Sequence, residues 1–161
     1  MPKLGKKERG RVTYYTAEGN RWFSNLVTEE LDNGDLQIYF GGVTGSGAES
    51  EGPEGEIPVC FDRFERALQE AGICDSLAEV DFLEIHSFGT APKSPNPVVD
   101  PEGYAKAKVE MREAYSKAWA RYWEENLSDN GLPARFTVYV EDLANIRASY
   151  EIAGTALLQR G

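Results

Sequence analysis

The chain has 161 residues, of which 41% are hydrophobic, and it carries a net charge of −10. A chain of this length forms one domain with a buried core. It lacks a run of about 18 apolar residues, and no apolar segment follows its basic start, so we expect neither a membrane-spanning helix nor a secretory signal. Without an export signal, Cys60 and Cys74 are expected to be reduced thiols in a cytoplasmic protein.

The charge is unevenly distributed along the chain. Residues 1–26 sum to +4, residues 27–99 to −12 and residues 100–161 to −2. A surface at −12 repels phosphate backbones and anionic lipids, so we expect no binding of nucleic acid or membrane. The same field attracts a basic protein partner, although acidity that serves only solubility is the alternative.

The N-terminal third predicts β-structure. Residues 1–10 are expected to be a flexible basic tail, followed by a single domain over residues 11–161. The segment Arg11–Thr16 alternates and predicts a strand. Asn33-Gly34 predicts a hairpin between strands Trp22–Leu31 and Leu36–Phe40. The alternative for this region is a short helix over Ser24–Leu31.

The middle of the chain predicts a loop, a helix and a strand. The Gly/Glu-rich segment 41–58 is expected to be a loop. A capping-box spacing at Asp62 starts the first helix, and Gly72 ends it. The next strand, Val80–Phe88, should place Val80, Phe82, Glu84, His86 and Phe88 on one face.

The last third predicts a long helix and a second hairpin. Asp100 as N-cap and Pro101 at the first helical position start a helix that runs to about Asn126. Strands Arg135–Glu141 and Ile146–Ile152 then form the hairpin. The fold is therefore predicted to be α+β, an antiparallel sheet of about six strands with two helices packed on one face.

The predicted loop at 41–58 lacks the residues of a phosphate or calcium site. A phosphate-binding loop needs a Lys and a Ser or Thr opening a helix, but this loop contains Glu49, Glu51, Glu54 and Glu56 and no cation. Its spacing does not match an EF-hand calcium loop. One histidine and two cysteines cannot complete a zinc site. We therefore predict no cofactor and no metal.

Catalysis would have to use His86, the single histidine. Cys60 and Glu84 are the residues that could join it in a nucleophilic site, and a solvent-exposed strand face is the alternative for Glu84 and His86. No catalytic residue is assigned, and we expect the protein not to be an enzyme. Trp123 lies about 100° round the helix from Tyr122 and either borders a binding groove or joins the core.

The C-terminal third resembles a known family. A long helix ends in ARYWEEN, an Asn-Gly break follows in SDNGLPA, and strands of the form RFTVYVE and RASYEI complete the segment. Over about the last 45 residues this order is similar to the closing segment of the YezG-like bacterial immunity proteins. The resemblance implies an acidic protein with an antiparallel sheet and flanking helices that neutralises a toxin.

These observations give two functional hypotheses. The first is a cytoplasmic immunity protein that inhibits a basic toxin, a nuclease or deaminase, by occluding its active site. Its partner-binding residues would be Glu49, Glu51, Glu54 and Glu56, with Trp123 as the apolar anchor. The second is a small enzyme or ligand-binding domain with a pocket near His86.

Overall fold

The computed structural model describes residues 3–145 and 148–161. Its strands are β1 (Leu4–Arg9), β2 (Val12–Ala17), β3 (Leu26–Glu30), β4 (Leu36–Thr44), β5 (Val80–Thr90), β6 (Ala134–Val140) and β7 (Tyr150–Leu158). Its α-helices are α1 (Pro53–Glu70) and α2 (Pro101–Asn126). In the described part of the chain the seven strands form one mixed sheet in the order β1-β2-β3-β4-β7-β5-β6. The α+β class is confirmed, but the prediction of an antiparallel sheet of about six strands was wrong.

The segment predicted to be a flexible tail contains a strand. β1 pairs antiparallel with β2, and the pairing places Leu4 opposite Ala17 and Arg9 opposite Val12. Lysines are typical of edge strands, where they discourage pairing with other chains, and β1 is an edge strand. The lysines of β1 therefore suit its position at the edge of the sheet. The first two residues of the predicted tail lie outside the described residues.

The hairpin at Asn33-Gly34 is confirmed. Gly34 has a φ of 87°, and the backbone N–H of Leu31 donates to the carbonyl of Asp35 at 2.8 Å. β3 begins at Leu26, so the predicted strand was too long at its start. The helical alternative for this region was wrong.

The predicted loop at 41–58 is mostly regular structure. β4 continues to Thr44 through a bulge, a 3-10 helix covers Glu49–Glu51, and α1 begins at Pro53, well before the predicted start at Asp62. Proline at the first helical position and glutamates in the first turn suit a helix N-terminus. Pro58, the last residue of the predicted loop, lies inside α1.

A bulge changes which face of β5 each side chain occupies. The pairing of β5 with β7 shifts register between Phe82 and Glu84. Phe82 and Ile85 are consequently both buried, while Glu84 turns to the other face. The predicted strict alternation along this strand was therefore wrong from Glu84 onward.

The predicted C-terminal hairpin was also wrong. β7 lies between β4 and β5 and is antiparallel to both, whereas β6 is parallel to β5 at the edge of the sheet. Helix α2, which begins at the predicted cap Asp100, provides the long connection that two parallel strands need. The predicted strand Ile146–Ile152 starts in residues that lie outside the described ones, and β7 itself begins at Tyr150.

Both helices pack on the same face of the sheet through aromatic side chains. Phe61 of α1 stacks on Tyr122 of α2 at 4.7 Å between ring centroids. Phe82 of β5 contacts Phe61 edge-on at 5.8 Å and Trp123 of α2 at 5.7 Å. Within the described ranges, neither helix has an apolar stretch that could cross a bilayer.

Substitution of Gly154 by alanine tests the close backbone contact between β7 and β5. A Cβ at this position of β7 would overlap the carbonyl oxygen of Glu84 at the β5 bulge. We expect Gly154→Ala to lower the free energy of unfolding by roughly 1–3 kcal/mol, because two backbones would have to separate. Urea denaturation measures this change.

Gly41→Ala is the matched control for that substitution. A Cβ at Gly41 meets no atom within 4 Å, so its unfolding midpoint should stay close to that of the unaltered protein. Equal midpoints for the two variants would show that the contact between β5 and β7 is not tight.

Candidate functional site

The four glutamates predicted to bind a partner do not form one surface. Glu49 accepts a hydrogen bond from the backbone N–H of Gly47 at 2.8 Å, and backbone N–H groups hold its pKa below the usual range. Glu54 is exposed and lies 3.8 Å from the guanidinium of Arg121. Glu51 is exposed on the 3-10 helix before α1.

Glu56 lies in the interior and is only 2% exposed. The hydroxyl of Tyr115 donates to its Oε1 at 2.8 Å, while its Oε2 has no hydrogen-bond partner among the described residues. Burial raises the pKa of Glu56, and the hydrogen bond from Tyr115 opposes that rise. A carboxyl in this position cannot contact a protein partner.

Trp123 also lies in the core. It is 4% exposed, stacks on Trp119 at 5.9 Å and donates from its indole nitrogen to the carbonyl of Asn130 at 3.4 Å. Of the two interpretations open from the sequence, the structure supports a core residue. It offers no exposed ring to anchor a partner.

The structure does not assemble the alternative site at His86. Its Nε2 lies 2.6 Å from Glu84 Oε1, and its ring stacks on Phe136 at 4.5 Å, on the face of the sheet away from the helices. Cys60 is a fully buried residue of α1 and lies on the opposite face of the sheet, where burial raises the pKa of its thiol. The sheet therefore separates the thiol from the imidazole.

A groove between α2 and edge strand β6 is the candidate site. Side chains from both elements enclose about 420 Å³, and an adjoining space of about 460 Å³ shares three of these residues. The shared residues are Tyr104, Lys108 and Tyr139. We call the combined space, with Arg112 and Arg135 beside it, the cationic groove.

The periods of the two elements place these side chains. Tyr104, Lys108 and Arg112 are spaced by four residues on α2 and so lie along one side of the helix. On β6, Arg135 and Tyr139 share a face because strand side chains alternate. The guanidinium of Arg135 lies 4.6 Å from the ring of Trp119, which fixes that face toward α2.

The groove carries unpaired positive charge. Lys108, Arg112 and Arg135 form no ion pair with any residue in the described ranges. Burial raises the pKa of Tyr139, and the charges of Arg112 and Arg135 oppose that rise. Three cations therefore surround one half-buried phenol in a protein with a net charge of −10.

Sequence reasoning missed this groove. The signal was present as Tyr104, Lys108 and Arg112 at four-residue spacing, but the charges of this helix were interpreted as a solvated outer face. Their significance depends on Arg135 and Tyr139 lying beside α2, which follows from the parallel pairing of β6 with β5. In the residues that the structure describes, no cluster of three His, Cys, Asp or Glu side chains could hold a metal ion.

Buried Glu56 should make stability depend on pH. The pKa of Glu56 is raised in the folded state. The stabilisation from its protonated form is therefore fully present below the ordinary pKa of about 4.5, and it is lost as the pH rises through the pKa of the folded state. We expect Glu56→Gln to flatten the fall in the free energy of unfolding between pH 5 and 8, measured by urea denaturation.

The exposed Glu54 is the control for that measurement. Glu54→Gln should retain the slope of the unaltered protein, because its side chain is exposed to solvent. A slope for Glu56→Gln equal to that of the unaltered protein would show that Glu56 ionises freely in the fold.

Solved structures with a similar fold were identified. One is a YjgF-family protein from Neisseria meningitidis, with 18% identity, a TM-score of 0.56 and coverage of 93% of this chain and 97% of that chain. Another is E. coli TdcF with bound serine, with 13% identity, a TM-score of 0.52 and coverage of 89% and 91%. A third is YyfA of the Rid family from Yersinia pestis, with 15% identity, a TM-score of 0.51 and coverage of 87% and 89%. No protein-family model and no curated protein sequence matches the chain.

The fold similarity corrects the resemblance inferred from the C-terminal third. The structural neighbours are YjgF and Rid proteins, so the similarity to YezG-like immunity proteins was wrong. The immunity function and the basic toxin partner, which were inferred from the acidic charge and from that resemblance, were wrong as well. The alternative of a small ligand-binding domain agrees better with these neighbours, although its pocket is not at His86. The chain has the fold of the YjgF and Rid proteins.

Proposed function

We propose that the protein is a small-molecule-binding domain whose cationic groove binds a small carboxylate. The observation that supports this proposal is the convergence of three unpaired cations, Lys108, Arg112 and Arg135, around Tyr139. Positive charge that pairs with no carboxylate among the described residues is complementary to an anionic ligand. These three cations lie together in a protein whose net charge is −10.

The groove has the chemistry that a carboxylate needs. A guanidinium offers two parallel N–H donors that match the two oxygens of a carboxylate, which makes Arg112 the strongest candidate for direct contact. Lys108 adds a second charge, and it already lies 5.8 Å from the ring centroid of Tyr104. A space of about 420 Å³ falls within the range of small-ligand pockets.

The fold similarity supports the class of ligand. TdcF, which shares the fold, was determined with bound serine, an amino acid that carries a carboxylate. The identity of 13% is too low to transfer any binding residue, so the residues proposed here come from the groove alone. We propose reversible binding without a chemical step.

We further propose that the protein acts in the cytoplasm. Cys60 and Cys74 are both free thiols, and reduced cysteines are typical of that compartment. Burial raises the pKa of Cys74 to about 11, which keeps its thiol protonated and slow to oxidise.

Calorimetric titration with L-serine and ethanolamine tests the proposed function. The two compounds differ only by the carboxylate, so we expect serine to bind and ethanolamine not to bind. Arg112→Ala should weaken serine binding roughly tenfold, because a charge-assisted hydrogen bond is lost. Pyruvate, which has a carboxylate and no amine, should compete with serine.

Lys106→Ala is the control for Arg112→Ala. Lys106 lies on the same helix but is exposed and pairs with Glu110 at 3.8 Å, so its loss should leave serine binding unchanged. Equal binding of serine and ethanolamine, or equal affinity of the Arg112→Ala variant and the unaltered protein, would contradict the proposal.

A further inference from the structure

A second cavity, of about 560 Å³, lies between α1 and the first four strands. Its walls include apolar side chains from both layers of the fold, namely Leu4, Ala17, Leu26, Val43, Phe64 and Ala67. It shares no lining residue with the cationic groove. We call it the arginine cavity, after Arg63 and Arg66 of α1, which also line it.

The topology of the sheet creates this cavity. Leu4, Ala17 and Leu26 lie on three adjacent strands and share the face toward the helices. Leu4 pairs with Ala17, and Leu26 pairs with Tyr15, which lies on the same face of β2 as Ala17. Because α1 packs over the centre of the sheet, the same face of β1 to β3 is left partly open beside it. The bulge in β4 between Phe40 and Val43 brings two glycine backbones to the rim.

Arg63 is a half-buried cation held by neutral oxygens. Its guanidinium donates to the carbonyls of Thr44 and Ser46, each at 2.6 Å, and to the hydroxyl of Ser46 at 3.0 Å. No carboxylate of the described residues lies within ion-pairing distance of it. These contacts fix the position of the charge and leave it without a counter-ion.

Arg66 lies one helical turn further along α1 on the same side. It forms no hydrogen bond or ion pair within residues 3–145 and 148–161, so its five donors are free. Arg63 and Arg66 are the two Lys or Arg residues of segment 27–92, which otherwise carries only acidic charge. Both cations of this strongly acidic segment thus lie at one apolar cavity.

We propose that the arginine cavity binds an amphipathic carboxylate, with its apolar tail against Leu26, Val43 and Phe64 and its head group at Arg66. The apolar tail would cover the apolar walls and exclude water from them. The carboxylate head group would form an ion pair with Arg66. The proposal goes beyond the proposed function, because it concerns a different ligand and a separate site.

The acidic surroundings and the apolar walls narrow the class of ligand. A multiply charged anion such as inorganic phosphate would leave the apolar walls in water and would be repelled by the acidic charge of residues 27–99. A neutral apolar molecule would gain no charge-assisted contact with the guanidinium of Arg66. A monoanion with a tail satisfies both features of the cavity, and octanoate is a simple probe of that kind.

Titration of the full chain with octanoate and with octanol tests the inference. We expect octanoate to bind saturably and octanol to bind more weakly, with chemical-shift changes at the amides of Gly41 and Gly42 on the rim. Arg66→Ala should weaken octanoate binding roughly tenfold, because a charge-assisted contact is lost. The variant should fold, since Arg66 is exposed and makes no contact that the fold requires.

Two control variants separate this site from other cations. Arg21→Ala removes an exposed arginine of the loop between β2 and β3, and Lys106→Ala removes an exposed lysine of α2 that lines neither site. Both should leave octanoate binding unchanged. The inference is overturned if octanoate does not bind, if octanol binds equally well, or if the Arg66→Ala variant binds octanoate as tightly as the unaltered protein.

Discussion

Strand β7 lies at the centre of the sheet and pairs antiparallel with β4 on one side and with β5 on the other. This double pairing joins the N-terminal half of the sheet to the C-terminal half, and it requires a glycine at 154, where the backbone of β5 approaches at a bulge. Because β7 occupies the place beside β5 on one side, β6 pairs with β5 on the other side, in parallel. The cationic groove depends on that arrangement, because it lies between α2 and β6, and β6 is the edge strand beside β5.

The bulge in β5 has a second consequence for the two faces of the sheet. It turns Ile85 toward the helices and His86 away from them, so that the single histidine and its partner Glu84 lie on the outer face. The helix-facing side is instead filled by aromatic rings and by the buried pair of Glu56 and Tyr115. The raised pKa of Glu56 favours its neutral, protonated form. The charged carboxylate would lose its hydration there without gaining a cation among the described residues. The interior thus tolerates a polar group that the sequence indicated as an exposed anion.

Local signals in the sequence predicted local structure well. Asn33-Gly34 specified a tight hairpin, and Asp100-Pro101 specified the start of the long helix, because the required φ angles and capping groups belong to those residues themselves. The position of β7 could not be predicted in this way, since pairing between distant strands depends on contacts that no short segment encodes. The start of α1 was missed because the capping-box spacing at Asp62 was interpreted as the helix start and the Gly/Glu-rich segment before it as a loop. For the site, the cations of α2 were visible in the sequence, but their neighbours on β6 were not.

The distribution of charge connects the two cavities. Carboxylates outnumber cations in this chain, and exposed ion pairs neutralise two of the cations within α2, Lys106 with Glu110 and Arg121 with Glu125. The cations that remain unpaired in the described residues include those at the cationic groove and at the arginine cavity, and each of these places also offers apolar or aromatic walls. A general excess of acidic residues raises the selectivity of such places, because it repels anions from the remainder of the surface and leaves attraction only where local positive charge prevails. The acidity that suggested a basic protein partner is compatible instead with the proposed binding of small anions at the cationic groove and at the arginine cavity.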